Sequence, residues 1–96
     1  MLTIFDRVPG EFVEAYDGMF REWGRRFREV GKVAVFRLKM PLAGDAGDPV
    51  GRGRRIVGVR LRAEVDGGRM VISPLDDENA EAIERHSREL AALRLN

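Results

Sequence analysis

The chain has 96 residues, 44% of them apolar and 34% charged, with a net charge of +1. That length supports one domain with a modest core. The absence of cysteine and the presence of a single histidine exclude a disulfide scaffold and a thiolate metal site. No apolar run approaches the roughly 20 residues of a membrane span, and the start, MLTIFDRVPGEF, lacks the basic-then-apolar pattern of a secretory signal. The expectation is a single soluble, cytoplasmic domain covering residues 1–96.

The small net charge conceals an uneven distribution. Residues 1–31 carry five arginines against six acids, giving −1, and residues 76–96 carry three arginines against six acids, giving −3. Between them, residues 32–75 carry nine basic side chains against four acids, giving +5. A basic middle between two acidic ends points to one cationic surface.

In chain order, Leu2 to Phe5 reads either as a short strand or as an N-terminal arm. Pro9 suits a first helical turn, where its missing N–H costs nothing. Phe12, Tyr16, Met19, Phe20, Trp23, Phe27 and Val30 then recur at three- and four-residue spacing, which predicts one amphipathic helix closed by Gly31. Asp17–Arg21, Glu22–Arg26 and Arg25–Glu29 sit four apart on its outer side. The aromatic stripe is read as core, not as a stacking platform.

Lys32 to Leu42 reads as a strand, with Ala34, Phe36, Leu38 and Met40 on one face and Val33, Val35, Arg37 and Lys39 on the other. Pro41 ends it or marks an edge. Residues 43–53, rich in Gly, Asp and Pro, read as a flexible loop between antiparallel strands.

Arg54 to Ser73 reads as a β-hairpin. Val57, Val59, Leu61, Ala63 and Val65 alternate with Gly58, Arg60, Arg62 and Glu64, the period of a strand with one buried face. Asp66-Gly67-Gly68-Arg69 supplies two glycines where a type I′ turn needs positive φ twice. That turn pairs Asp66 with Arg69, Val65 with Met70, Glu64 with Val71, Ala63 with Ile72 and Arg62 with Ser73. Ser73-Pro74-Leu75-Asp76 then opens a last helix, with Ser73 or Asp76 as its N-cap. Its inner stripe reads Leu75, Asn79, Ile83, His86 or Ser87, Leu90 and Leu93, and its acids precede its arginines in the order that suits the helix dipole.

These elements predict an α+β domain of two layers in α-β-β-β-α order: a three-stranded antiparallel sheet with two helices on one face. The order is that of double-stranded-RNA-binding domains. In those, a lysine-rich start of the second helix grips phosphate, whereas Asp76, Asp77 and Glu78 stand at the matching positions here and repel it. The passage GGRMVISPLDDENAEAI, residues 67–83, resembles the sheet-to-helix passage of YbaB-type nucleoid-associated dimers. Neither likeness carries a specific motif, and neither assigns the chain to a family.

The catalytic inventory is thin. Ser87 is adjacent to His86 on one helix, so the two side chains diverge by about 100°. His86 on the inner stripe reads as a core histidine. Asp76-Asp77-Glu78 lacks calcium-loop spacing, and Gly51-Arg52-Gly53 is followed by neither a phosphate-binding helix nor a P-loop lysine. The reading is therefore a non-enzymatic chain without cofactor or metal.

The surface that remains is the outer sheet face. Alternation puts Arg37, Lys39, Arg60 and Arg62 together there, with Arg52, Arg54 and Arg55 at the loop end. The same face carries Val33, Val35, Ile56 and Val71, apolar residues poorly suited to water. The expectation is a binding or oligomerisation module, an adaptor, assembly or inhibitor protein of the kind a phage or mobile element encodes. Its partner is a protein or a second copy of itself. The alternative is a nucleic-acid-binding protein that sets the same cations on phosphate.

Overall fold

The computed structural model describes residues 2–27, 32–42 and 55–94, with side chains for all of these except 40–42, 55–57 and 93–94. The element order is β1 (Leu2–Phe5), α1 (Gly10–Ala15), α2 (Asp17–Arg26), β2 (Val33–Leu42), β3 (Arg55–Asp66), β4 (Arg69–Pro74) and α3 (Asp77–Arg94). The α+β class holds, but the sheet has four strands in the order β1-β4-β3-β2 and is mixed, not three-stranded and antiparallel.

The hairpin register is the one its turn requires: Asp66↔Arg69, Val65↔Met70, Glu64↔Val71, Ala63↔Ile72 and Arg62↔Ser73. Gly67 and Gly68 take φ of 55° and 79°, which a side chain would resist. Because side chains alternate, this register sends Val59, Leu61, Ala63, Val65, Met70 and Ile72 inward, all of them completely buried. β2 joins on the other side with Ala34↔Ala63 and Phe36↔Leu61, extending the same inner face to the sheet edge.

β1 is the correction to the three-stranded expectation. It lies parallel to β4, with Thr3↔Met70 and Phe5↔Ile72. Its inner residue Phe5 meets Phe20 edge-on at 5.0 Å between ring centres. The chain thus starts at one sheet edge, crosses beneath the sheet as helix and returns as β2 at the opposite edge. α2 spans that distance, from Phe20 against Phe5 to Trp23 stacked on Phe36 at 4.0 Å.

The first helix also differs from its expected form. A single helix to Gly31 is replaced by α1 and α2, broken at Tyr16, whose φ of −114° and ψ of 24° leave the helical region. Asp17-Gly18, two poor interior helix formers, follow the break and make it inexpensive. α2 stops at Arg26, and the Phe27 N–H bonds the Trp23 carbonyl. Val30 and Gly31, the expected end of the helix, and Glu29, the expected partner of Arg25, lie outside the described residues. Arg21–Asp17 and Arg26–Glu22 form as ion pairs at 2.9 Å each. The bend lets α1 pack on α3 while α2 meets the sheet through Phe20 and Trp23. Phe12, Phe20, Phe27 and Ile83 complete the core from the helical side, each large buried side chain contributing about 1.5–3 kcal/mol.

Of the two expected N-caps, Asp76 and not Ser73 caps α3, because Ser73 and Pro74 belong to β4. The Asp76 carboxylate accepts from the Asn79 N–H at 2.9 Å and from the Asn79 side-chain amide at 2.6 Å. Leu75, expected on the inner stripe, is exposed; among the described side chains of α3, Ala80, Ile83, His86 and Ser87 are buried and Asn79 and Leu90 half-buried, while the side chain of Leu93 lies outside the described ones. The Asn79 amide oxygen instead accepts the Arg60 N–H at 2.8 Å, and the Arg60 carbonyl accepts the Leu75 N–H at 3.1 Å. Both backbone groups of Arg60 are therefore satisfied where β4 stops pairing.

The bonds from Asn79 hold the Asp76 carboxyl below its usual pKa. A carboxyl depressed on folding contributes stability that is present above its unfolded pKa and lost as pH falls through the folded one. Asp76→Ala is expected to lower the melting temperature at neutral pH and to reduce the acid-side loss of stability, measured by circular-dichroism melts across an acid pH series.

Candidate interaction face

Among the described residues, the helices lie on one side of the sheet and leave its other side open. Register places the residues of that open face in rows across the strands. Ile4, Val71, Glu64 and Val33 form one row; Ser73, Arg62 and Val35 the next; Arg60 and Arg37 a third; Gly58 and Lys39 a fourth. Successive rows are about 7 Å apart, two residues of strand rise. Leu2, Arg69 and Asp66 form the row on the hairpin-turn side of Ile4.

Arg37, Lys39, Arg60 and Arg62 are exposed together on this face. Val33 and Val35 lie beside them, 48% and 54% exposed, values far outside what a core valine shows. Val71 is half-buried in the same face. The backbone of Arg55 and Ile56 runs in β3, where Ile56 pairs with Pro41 and Arg55 with Leu42. Arg52, Arg54 and the expected loop at 43–53 lie outside the described residues.

The face is not uniform. Its turn-side half mixes apolar and charged residues: Leu2, 62% exposed, with Ile4, Val71 and Val33, stands among Asp66, Glu64 and Arg69. Its other half is cationic. Leu2 and Ile4 do not stand out as site residues in the sequence, because only the parallel pairing of β1 with β4 brings them here. The four-residue alternation Leu2-Thr3-Ile4-Phe5 is the trace they leave in the sequence.

Two local arrangements ease the crowding of like charge. Arg62 pairs with Glu64 on the same strand at 3.0 Å. Arg37 stands directly opposite Arg60, which is unfavourable for like charges. Its guanidinium extends instead over Gly58, where a methyl group would come within 2.8 Å of Nε. The glycine thus leaves space on β3 for a side chain from β2.

The serine and histidine residues do not converge. Ser73 is on the open face, whereas His86 is on the helical side and buried. The Ser87 hydroxyl donates to the Ile83 carbonyl at 2.7 Å. His86 Nε2 meets the Tyr16 hydroxyl at 2.9 Å, with Phe12 packed edge-on against the imidazole. Burial raises the Tyr16 pKa. His86 Nδ1 lies 3.7 Å from the Glu89 carboxylate and makes no hydrogen bond. The Tyr16–His86 contact ties the break between α1 and α2 to α3, a structural task that the spacing of these residues does not reveal.

A groove of about 560 Å³ between β1 and α2 is lined by Thr3, Phe5, Phe20, Gly24 and the charged Asp17, Arg21 and Arg25. Its arginines are committed to Asp17 and Glu22 on the same helix. Among the described residues, no group of three acidic or histidine side chains is placed to hold a metal ion, and no helix is long and apolar enough to cross a membrane.

No protein-family model matches the chain, and searches of curated proteins and of solved structures find no match.

Gly58→Ala tests the arrangement of the open face. The three atoms nearest an added methyl all belong to the flexible end of Arg37, which can swing aside. Removing glycine from a strand interior is expected to raise stability by about 0.5 kcal/mol in urea unfolding. Tyr16→Phe leaves His86 Nε2 unpaired and is expected to cost about 1 kcal/mol in the same assay.

Proposed function

We propose that the protein is a non-catalytic binding and oligomerisation module that works through the open face of its sheet. The observation that carries this reading is the exposure of Val33 and Val35 beside Arg37, Lys39, Arg60 and Arg62. Apolar area on an otherwise charged surface is favourable to cover, and flanking charges select what covers it. The core and the N-terminal end of α3 are accounted for by packing and capping, so this surface is where the sequence departs from what folding requires. The partner is a protein or a second copy of the chain.

A second reading sets the same cations on nucleic-acid phosphates. It is favoured by the shape of the β2–β3 pair, which continues to Leu42↔Arg55 while β4 stops pairing at Leu61↔Pro74. Arg37, Lys39 and Arg60 lie on this two-stranded extension. The major groove of B-DNA, about 12 Å wide, admits such a ribbon.

The double substitution Arg60→Glu/Arg62→Glu discriminates between the readings. For a protein-binding module, the variant is expected to lose partners captured equally from nuclease-treated and untreated host lysates. For a nucleic-acid binder, the wild type gives a gel shift that weakens steeply with salt and disappears in the variant. Unchanged capture with no gel shift at any salt would sink both readings.

A further inference from the structure

The order of charge along the outer side of β3 is its least expected feature. Reading outward-facing residues only, the strand runs Arg60, Arg62, Glu64, Asp66: two positive charges, then two negative. The acids would be misplaced in a surface built solely for an anion. A sequence of this kind is, however, complementary to itself when one copy is turned end over end.

From this order we infer that the open face docks on the same face of a second copy, related by a two-fold axis that runs in the plane of the sheet and across its strands. The inference rests on the reading of this face as an interaction surface and adds the identity of the occupant. The axis passes over the row Ala34, Ala63, Ile72 and Phe5, which register aligns across all four strands. These side chains point into the core, so the rows on either side of them meet across the axis.

The consequences for each strand follow from counting. On β3, Glu64 faces Arg62 of the second copy and Asp66 faces Arg60 of the second copy, each pair occurring twice. On β2, Val33 faces Val35 of the second copy, again twice, so the two most exposed valines of the sheet cover one another. The axis position that joins the valines is the same one that joins the charges, because Ala34 and Ala63 are register partners. Two independent features of the sequence, an apolar pair on β2 and a charge order on β3, select one arrangement.

The geometry is compatible with sheet packing. Two sheets stacked face to face lie about 10 Å apart with strands rotated by about 30°. Rows nearest the axis are least displaced by that rotation, so the Arg62–Glu64 exchange should be the tightest polar contact. In one copy these two side chains already pair at 3.0 Å, and docking exchanges that partner for its equivalent. Arg37 and Lys39 lie on the far side of Val35 from the axis, and the two-fold carries the cationic ends of the copies to opposite ends of the dimer. Along β3, a second copy therefore sets opposite charge on charge at both rows. An isologous contact of this kind closes on itself and forms no filament.

The test is a charge exchange on the full chain, read by sedimentation equilibrium over a concentration series. Arg62→Glu alone sets Glu on Glu across the axis, and Glu64→Arg alone sets Arg on Arg. Each is expected to weaken dimerisation about tenfold or more, because each change acts twice. The double variant Arg62→Glu/Glu64→Arg restores opposite charges and is expected to return within about threefold of the wild type. Melting curves of all four proteins establish that each is folded. A double variant no tighter than the single ones, or a wild type that is monomeric throughout, overturns the inference. In the monomeric case, Arg60→Glu/Arg62→Glu is assayed for loss of protein capture or of the gel shift. Loss there would leave the face an interaction surface with another occupant, whereas no loss would remove that reading as well.

Discussion

β3 pairs on both sides, with β4 through a two-glycine turn and with β2 through ten aligned residues, and the parity of its side chains governs both layers of the molecule. One set of alternate residues, Val59 to Val65, is wholly buried and receives the helices. The other set, Arg60 to Asp66, stands on the open face. A slip of one residue would put arginine in the core and valine in water, at a cost no other part of so small a domain could offset. The turn prevents this slip because its glycines occupy backbone conformations that neighbouring residues resist.

From that constraint the helical layer follows. The inner face of four strands is broader than one straight helix can cover. The chain meets this by breaking at Tyr16, so that α2 lies across the sheet and α1 turns toward α3. Tyr16 and His86 then join the break to the last helix. At the opposite corner, Asn79 serves two elements at once, completing the N-cap with Asp76 and taking up the Arg60 N–H. A helix end and a strand end that would each leave backbone groups unpaired satisfy one another.

The open face carries features that folding alone does not require. Four cations on two adjacent strands repel, and the sheet tolerates them by pairing Arg62 with Glu64 and by leaving Gly58 beneath Arg37. Neither device buries the valines. A fold under selection for stability alone has better choices than valine at positions 33 and 35 and glycine at position 58. Their presence is the physical basis for assigning this face a partner. The order of charge along β3 is the basis for naming that partner as a second copy.

The local patterns were legible in the residues themselves. Alternation and the Asp-Gly-Gly-Arg turn specify the hairpin and its register, and the same parity gathers Arg37, Lys39, Arg60 and Arg62 on one face. These rest on interactions between residues near in sequence, where chain geometry leaves few alternatives. Pairings distant in sequence were decided by the tertiary structure. Leu2 to Phe5 is too short to declare itself a strand, and it becomes one because β4 offers a free edge and Phe20 a partner for Phe5. The helix break at Tyr16 suits a sheet whose width is set only by the pairing of distant strands. The apolar cluster on the open face likewise required β1 to lie against β4, since only that pairing adds Leu2 and Ile4 to Val33, Val35 and Val71. Periodicity determined which face each residue occupies; the packing of elements distant in sequence determined what that face became.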